Sequence, residues 1–223
     1  MTSDAKEPVS HLTGEVIRKE CNPFSAFLRC GKILTPAMVA LFLFYGLSSM
    51  GFTAFDNCFN YYIRDQFGLS SGYNGVIKAA LGVITLVANS TICMWILKRK
   101  DTTGYLVGLT FACTLSMLGV ILCRELVPFI VVNVIFFAFY QVSLPLTQNR
   151  AAELGRGKES NLVMGAINSI KSFGGIFGAL SAGFAYEISP RLPFVLGFCG
   201  FALAAVFALR FWRIEKREGL GVQ

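Results

Sequence analysis

The sequence is poor in charge and nearly devoid of histidine. Only 15% of its 223 residues are Asp, Glu, Lys or Arg, against about 25% in ordinary soluble domains, so a water-facing globule could not be covered. The single histidine, His11, lies ahead of every long apolar run. That excludes, within this chain, a helix-borne zinc protease, a serine protease with a histidine base and a haem held by imidazole. An aspartyl protease needs two carboxylates sharing a site, whereas the apolar runs hold one, Asp56. No G-x-x-x-x-G-K-[ST] loop is present to cradle ATP phosphates. The seven cysteines include no C-x-x-C pair and lie mostly inside apolar runs, so they read as small packing residues. No apolar segment precedes Ile33, which argues against a signal peptide. Neither a metal nor a cofactor is expected.

What the sequence does have is length of apolar run. Hydrophobic residues make up 54% of it, and mean hydropathy is +0.59. A bilayer core about 30 Å thick takes roughly 20 apolar residues as a helix. Six stretches qualify: Pro36 to Tyr62, Tyr73 to Leu97, Gly104 to Leu122, Pro128 to Gln148, Leu162 to Phe184 and Pro193 to Trp212. They are continuous rather than alternating, which disfavours a barrel. The fold class is therefore an all-α membrane protein with six transmembrane helices. Residues 1–32 form an N-terminal tail, 33–213 the six-span bundle and 214–223 a C-terminal tail. In the first tail Asn22-Pro23 reads as a helix N-cap followed by proline at the first helical position. It leads into Phe24, Phe27 and Leu28, which suggests a short amphipathic helix on the membrane surface. A flexible tail is the alternative reading.

The net charge of +7 would invite a nucleic-acid reading in a soluble protein, but its placement is topological. Fifteen of the twenty Lys and Arg residues fall on the side of the termini: in the tails, at the end of the last span, or in the loops after the second and fourth spans. Arg64, Arg124 and Arg191 alone occupy the opposite loops, and Lys78 and Lys171 lie within spans. By the positive-inside rule both termini are cytoplasmic in the plasma membrane, and no nucleic-acid partner is expected.

Polar side chains in lipid need a partner or a water-filled cavity, so a polar stripe along one helix face is informative. The second span carries Asn74, Lys78, Gly82, Thr85 and Asn89 on one face. The fifth carries Asn161, Gly165, Asn168, Lys171, Gly175, Gly178 and Ala182, with Val163, Ile167, Ile170, Phe177, Leu180 and Phe184 assigned to a lipid side. The first adds Ser49, Thr53, Asp56, Asn57 and Asn60, and the fourth adds Asn133, Gln141 and Gln148 with Pro145 as a kink. Asp56 and Lys78 both fall toward the outer ends of their spans, where an ion pair and a snorkelling lysine are the two readings. Lys171 lies roughly 15 Å into its span. An ammonium there costs at least about 2.5 to 3.5 kcal/mol, so it faces a cavity or pairs with another chain or half. The cavity-lining set is Lys171, Asn168, Gln141, Asn89, Thr53 and Asn57. Gly174, Gly175, Gly178 and Gly183 read as helix-packing positions, because small-xxx-small spacing lets helices approach.

These features together resemble the C-terminal six-helix half of a major facilitator superfamily transporter. Phe67-Gly68-Leu69-Ser70 with Gly75 is similar to the family's first outer turn in a half. Lys98-Arg99-Lys100-Asp101 sits where the family has a G-x-x-x-D-[RK]-x-G-[RK]-[RK] signature. Arg99 agrees with it, whereas Met94, Lys98 and Asp101 replace its first glycine, aspartate and second glycine. Gly174-Gly175-x-x-Gly178 through Gly183 resembles the glycine-rich eleventh helix of drug and sugar transporters, and Asn22-Pro23-Phe24 the lateral helix joining two halves. The resemblance spans about residues 22 to 213. It implies a 3+3 inverted repeat, and a substrate held at the midplane between two six-span halves that rock in alternating access. Six spans supply one wall of such a site, so the chain reads as a fragment, a half that pairs with itself, or a subunit of a split transporter. The expected partners are a small solute, the lipid bilayer and a second six-span half. The leading reading is half of an ion-coupled secondary transporter; a six-span scaffold or interaction protein is the alternative.

Overall fold

A computed structural model describes residues 34–99, 101–155 and 160–218. The amphipathic segment expected near residue 22 lies outside the described residues. All the helices below belong to one compact unit, Thr35–Gln223.

Helix α1 (Pro36–Phe67) starts where proline occupies the first helical position and Thr35 caps it, its Oγ1 accepting from Met38 N at 3.2 Å. It stops at Gly68, whose φ of 65° is the left-handed conformation that glycine adopts without a Cβ penalty. Helix α2 begins as Ser71–Ala88, widens into a π-helical turn at Asn89–Cys93 and closes as Met94–Leu97. Asp101 caps α3 (Thr102–Leu122), with Oδ1 accepting from Gly104 N at 2.8 Å. Helix α4 (Leu126–Leu154) runs on through Pro145, whose ring removes the N–H that would bond the Gln141 carbonyl. Helices α5 (Ser160–Ile188) and α6 (Leu192–Glu218) complete six helices long and apolar enough to cross a membrane. The described residues contain no strand.

All six spans expected from hydropathy are present, and most run longer than the apolar runs that revealed them. Helix α1 continues past Tyr62 to Phe67, and α6 passes residue 213 to reach Glu218. Polar ends such as Arg64, Asp65 and Lys216 extend a helix beyond hydrocarbon without breaking its hydrogen bonds.

Helix α1 packs between α5 and α6; α4 packs against α2 and α3; and α3 meets α6. Exchanging the first three helices for the last three maps these pairings onto one another. Since successive spans alternate in direction, α1 and α4 run oppositely, which is the inverted 3+3 arrangement.

The tightest crossing is α1 on α5. A Cβ placed on Gly174 would strike the Gly46 carbonyl, and one on Gly178 the Met50 carbonyl. Ser49 Oγ donates to the Lys171 carbonyl at 2.7 Å, and Cys58 Sγ to the Ala182 carbonyl at 3.7 Å. On its other side α1 meets α6 through Gly51, Gly197 and Gly200, where a Cβ on Gly51 would lie 2.9 Å from the Gly197 carbonyl. Small residues thus let three backbones approach. Beyond them α1, α4 and α6 close over an aromatic core of Phe55, Phe59, Phe129, Phe136, Phe194 and Phe201. Phe52 stacks on Tyr140 with ring centroids 4.1 Å apart.

Two expectations about α5 need correction. Gly183 is not a packing position, because nothing lies within 4 Å of the Cβ it lacks. Val163 and Ile167 are fully buried rather than lipid-facing, since they share the face that carries Gly174, Gly178 and Ala182 toward the bundle. The helix has three faces: that packed one, an apolar exposed one with Phe173, Phe177, Leu180 and Phe184, and between them a flank of Asn161, Gly165, Asn168, Ser172 and Gly183, all exposed.

Candidate functional site

The polar stripe of α1 lies along the α1–α5 seam. Opposite it α5 presents mostly small residues, so Thr53 is half-covered while Asn57 and Asn60 are exposed. A Cβ on Gly175 would sit 3.4 Å from Thr53 Oγ1 and 3.8 Å from Ser49 Oγ. Further toward the α1–α2 turn the seam opens into a cleft of about 550 Å³. Asp56, Asn57, Asn60 and Tyr61 line one side of it, and Ala179, Gly183 and Tyr186 the other. The Tyr186 hydroxyl donates to Asp65 Oδ2 at 2.9 Å, tying the helices together beyond the cleft.

Asp56 and Lys78 form an ion pair, each about one-third exposed. Lys78 Nζ also lies 5.3 Å from the centroid of Phe59 and 5.0 Å from that of Phe137. Two negative ring faces and a carboxylate therefore hold the ammonium against α1 and α4. With α1 reaching Phe67, Asp56 sits about 16 Å inside the end of its helix, of which the polar last turn lies beyond the hydrocarbon. One turn from Lys78, Asn74 Nδ2 donates to the Asn60 carbonyl at 3.3 Å.

Lys171 lies on the border between the packed face of α5 and its polar flank, half-buried. Among the described residues no carboxylate lies within ion-pair distance of its ammonium. Asn168 is exposed one turn below it, and Thr53 flanks Gly175 one turn above. Gln141 is half-buried on α4, following Tyr140 of the aromatic core. Asn89 opens the π-helical turn of α2, and its Oδ1 is buried without a hydrogen-bond partner. The structure thus brings Thr53, Asn57 and Asp56 to the seam and cleft, with Lys78 reaching Asp56 from α2. No hydrogen bond joins Lys171 to Gln141 or Asn89.

A second cluster lies where α4 and α6 end. Arg150, 10% exposed in its side chain, is 3.4 Å from the buried Glu215 and 2.5 Å from the more exposed Glu153. Asp101 Oδ1 accepts from Trp212 Nε1 at 3.2 Å, and Lys216 lies 4.0 Å over the Trp212 ring. Sequence reasoning counted Arg150 and Lys216 only as topological charge. The signal available was Arg150 three residues before Glu153, with an acid at a matching depth in the last span.

No curated protein matches the chain. The model of the Major Facilitator Superfamily matches residues 11–221, nearly the whole length and all six spans, so the chain belongs to this superfamily of membrane transporters.

Proposed function

We propose that the chain forms one half of a secondary active transporter that carries a small solute by alternating access, driven by an ion gradient. A second six-span half, from the same or another chain, supplies the opposite wall. The observation that carries this reading is the uncovered polar seam on α1, with its cleft: amide, hydroxyl and carboxylate groups at membrane depth need water, a solute or a partner. Lys171, Asn168, Gln141, Asn89, Thr53 and Asn57 face the solute route. Asp56 and Lys78 form an ion pair beside it. The ends bearing the termini and the 98–101 and 150–160 junctions lie on the cytoplasmic side of the plasma membrane.

The test is counterflow of labelled solutes into vesicles from cells that overproduce the chain, against vesicles lacking it. Citrate, benzoate, phosphate, mannitol and choline sample the charge classes. Uptake of at least one, lost on Lys171→Ala at matched protein level, supports the reading. Absence of uptake across the panel overturns it in favour of a scaffold.

A further inference from the structure

The charges embedded in the bundle do not balance locally. Asp56 is matched by Lys78, and Lys78 is further engaged by the Phe59 and Phe137 rings. That leaves Lys171 as a half-buried cation with no carboxylate partner among the described residues. The polar side chains one turn to either side of it are neutral. The Thr53 hydroxyl stands beside Gly175, and the Asn168 amide is open on the same flank. A Cβ at Gly175 would touch Thr53 Oγ1 at 3.4 Å, an ordinary contact distance. Along the seam from this point to the cleft, the remaining polar lining comprises Asn57, Asn60, Tyr61 and Tyr186, all neutral, and Asp56, already neutralised. The carboxylate of Asp65, beyond the cleft, accepts from Tyr186 and so has a donor of its own.

We infer that the solute carried on this route is a small anion, a carboxylate or a phosphate, whose charge is held by Lys171. The inference rests on the transporter reading above. A low-dielectric setting makes an ammonium-to-oxyanion hydrogen bond stronger than a neutral one. A cationic solute would meet uncompensated repulsion at Lys171, and a neutral one would leave its charge unmatched. A carboxylate contributed by the second half is the competing source of negative charge, and the variants separate it from a bound solute.

The same vesicle panel reads the outcome. Citrate, benzoate or phosphate should exchange, and mannitol and choline should not. Lys171→Gln should lower anion counterflow about tenfold or more, a loss of one charge-assisted contact, while Lys171→Arg should retain most of it because the charge persists. Retention by the arginine variant also shows that the glutamine loss is not misfolding. Exchange confined to mannitol or choline would leave the transporter reading standing and overturn the anion. Anion exchange undiminished in Lys171→Gln would likewise overturn it and assign Lys171 to an ion pair with the second half.

Discussion

At the scale of single residues, what decides a position is the space behind it. Gly178 and Gly183 look alike in sequence, and both suit a small-residue stripe. One faces the Met50 carbonyl across a helix crossing, and the other opens on a cleft. Gly178→Ala should therefore destabilise by about 1–3 kcal/mol, the usual range for overpacking, whereas Gly183→Ala should be close to neutral. Thermal unfolding of the purified protein in detergent checks the pair, and equal losses would contradict the crossing. Asp56 and Lys78 were legible as candidates because charges in apolar runs stand out. Their union was one of two readings the sequence left open, and what decides it, the two phenyl rings that steer the ammonium, comes from α1 and α4, far apart in sequence. A double-mutant cycle of Asp56→Asn and Lys78→Met should return a coupling of about 1 kcal/mol, the scale for a partly solvated pair.

At the scale of helices, hydropathy located all six spans, because a run of twenty apolar residues has few other destinations. It placed their ends less well. Caps such as Thr35 and Gly68, and polar final turns, carry no hydropathy signal. It also divided α5 into two sides where packing makes three. Val163 and Ile167 are chemically suited to lipid, and only the position of α1 and its neighbours puts them inside. The junction of α4 and α6 supplies a prediction of its own. Glu215 is buried beside Arg150, whereas Glu153 is largely exposed. Arg150→Ala would strand the Glu215 charge and should cost about 3–5 kcal/mol, while Glu153→Ala should cost below about 1 kcal/mol. Denaturation of the two variants side by side measures the difference, and similar losses would mean that Glu153 dominates.

At the scale of the whole molecule, the inverted pairing of α1–α3 with α4–α6 followed from family resemblance, with little support in the sequence itself. Helix pairings carry it, whereas the glycines of the α1–α5 and α1–α6 crossings have no counterpart in α4, which contains none. Orientation rests on the asymmetry of Lys and Arg between the two sets of loops. Thiols introduced near Ser189 should react with an impermeant reagent from outside, and thiols near Gly157 only after permeabilisation; the reverse would invert the chain. The exposed polar flank of α5 and the open seam cannot both rest against lipid. The protein should accordingly run as a dimer or with a second six-span half on size exclusion with light scattering. A monomer that still supports solute exchange would contradict that assembly.

The π-helical turn at Asn89–Cys93 gives α2 a tolerance for length change that the other spans lack. Such a turn holds about one residue more than an α-helical turn, so removing one residue there would restore regular winding and keep the flanking faces aligned. The same deletion at mid-span in α5 would rotate everything beyond it by about 100°. It would carry Gly178 off its approach to the Met50 carbonyl and put Ala179, with a Cβ, in its place. Codon-by-codon deletion along the gene should therefore show an island of retained folded protein within the second span, flanked by positions where it is lost.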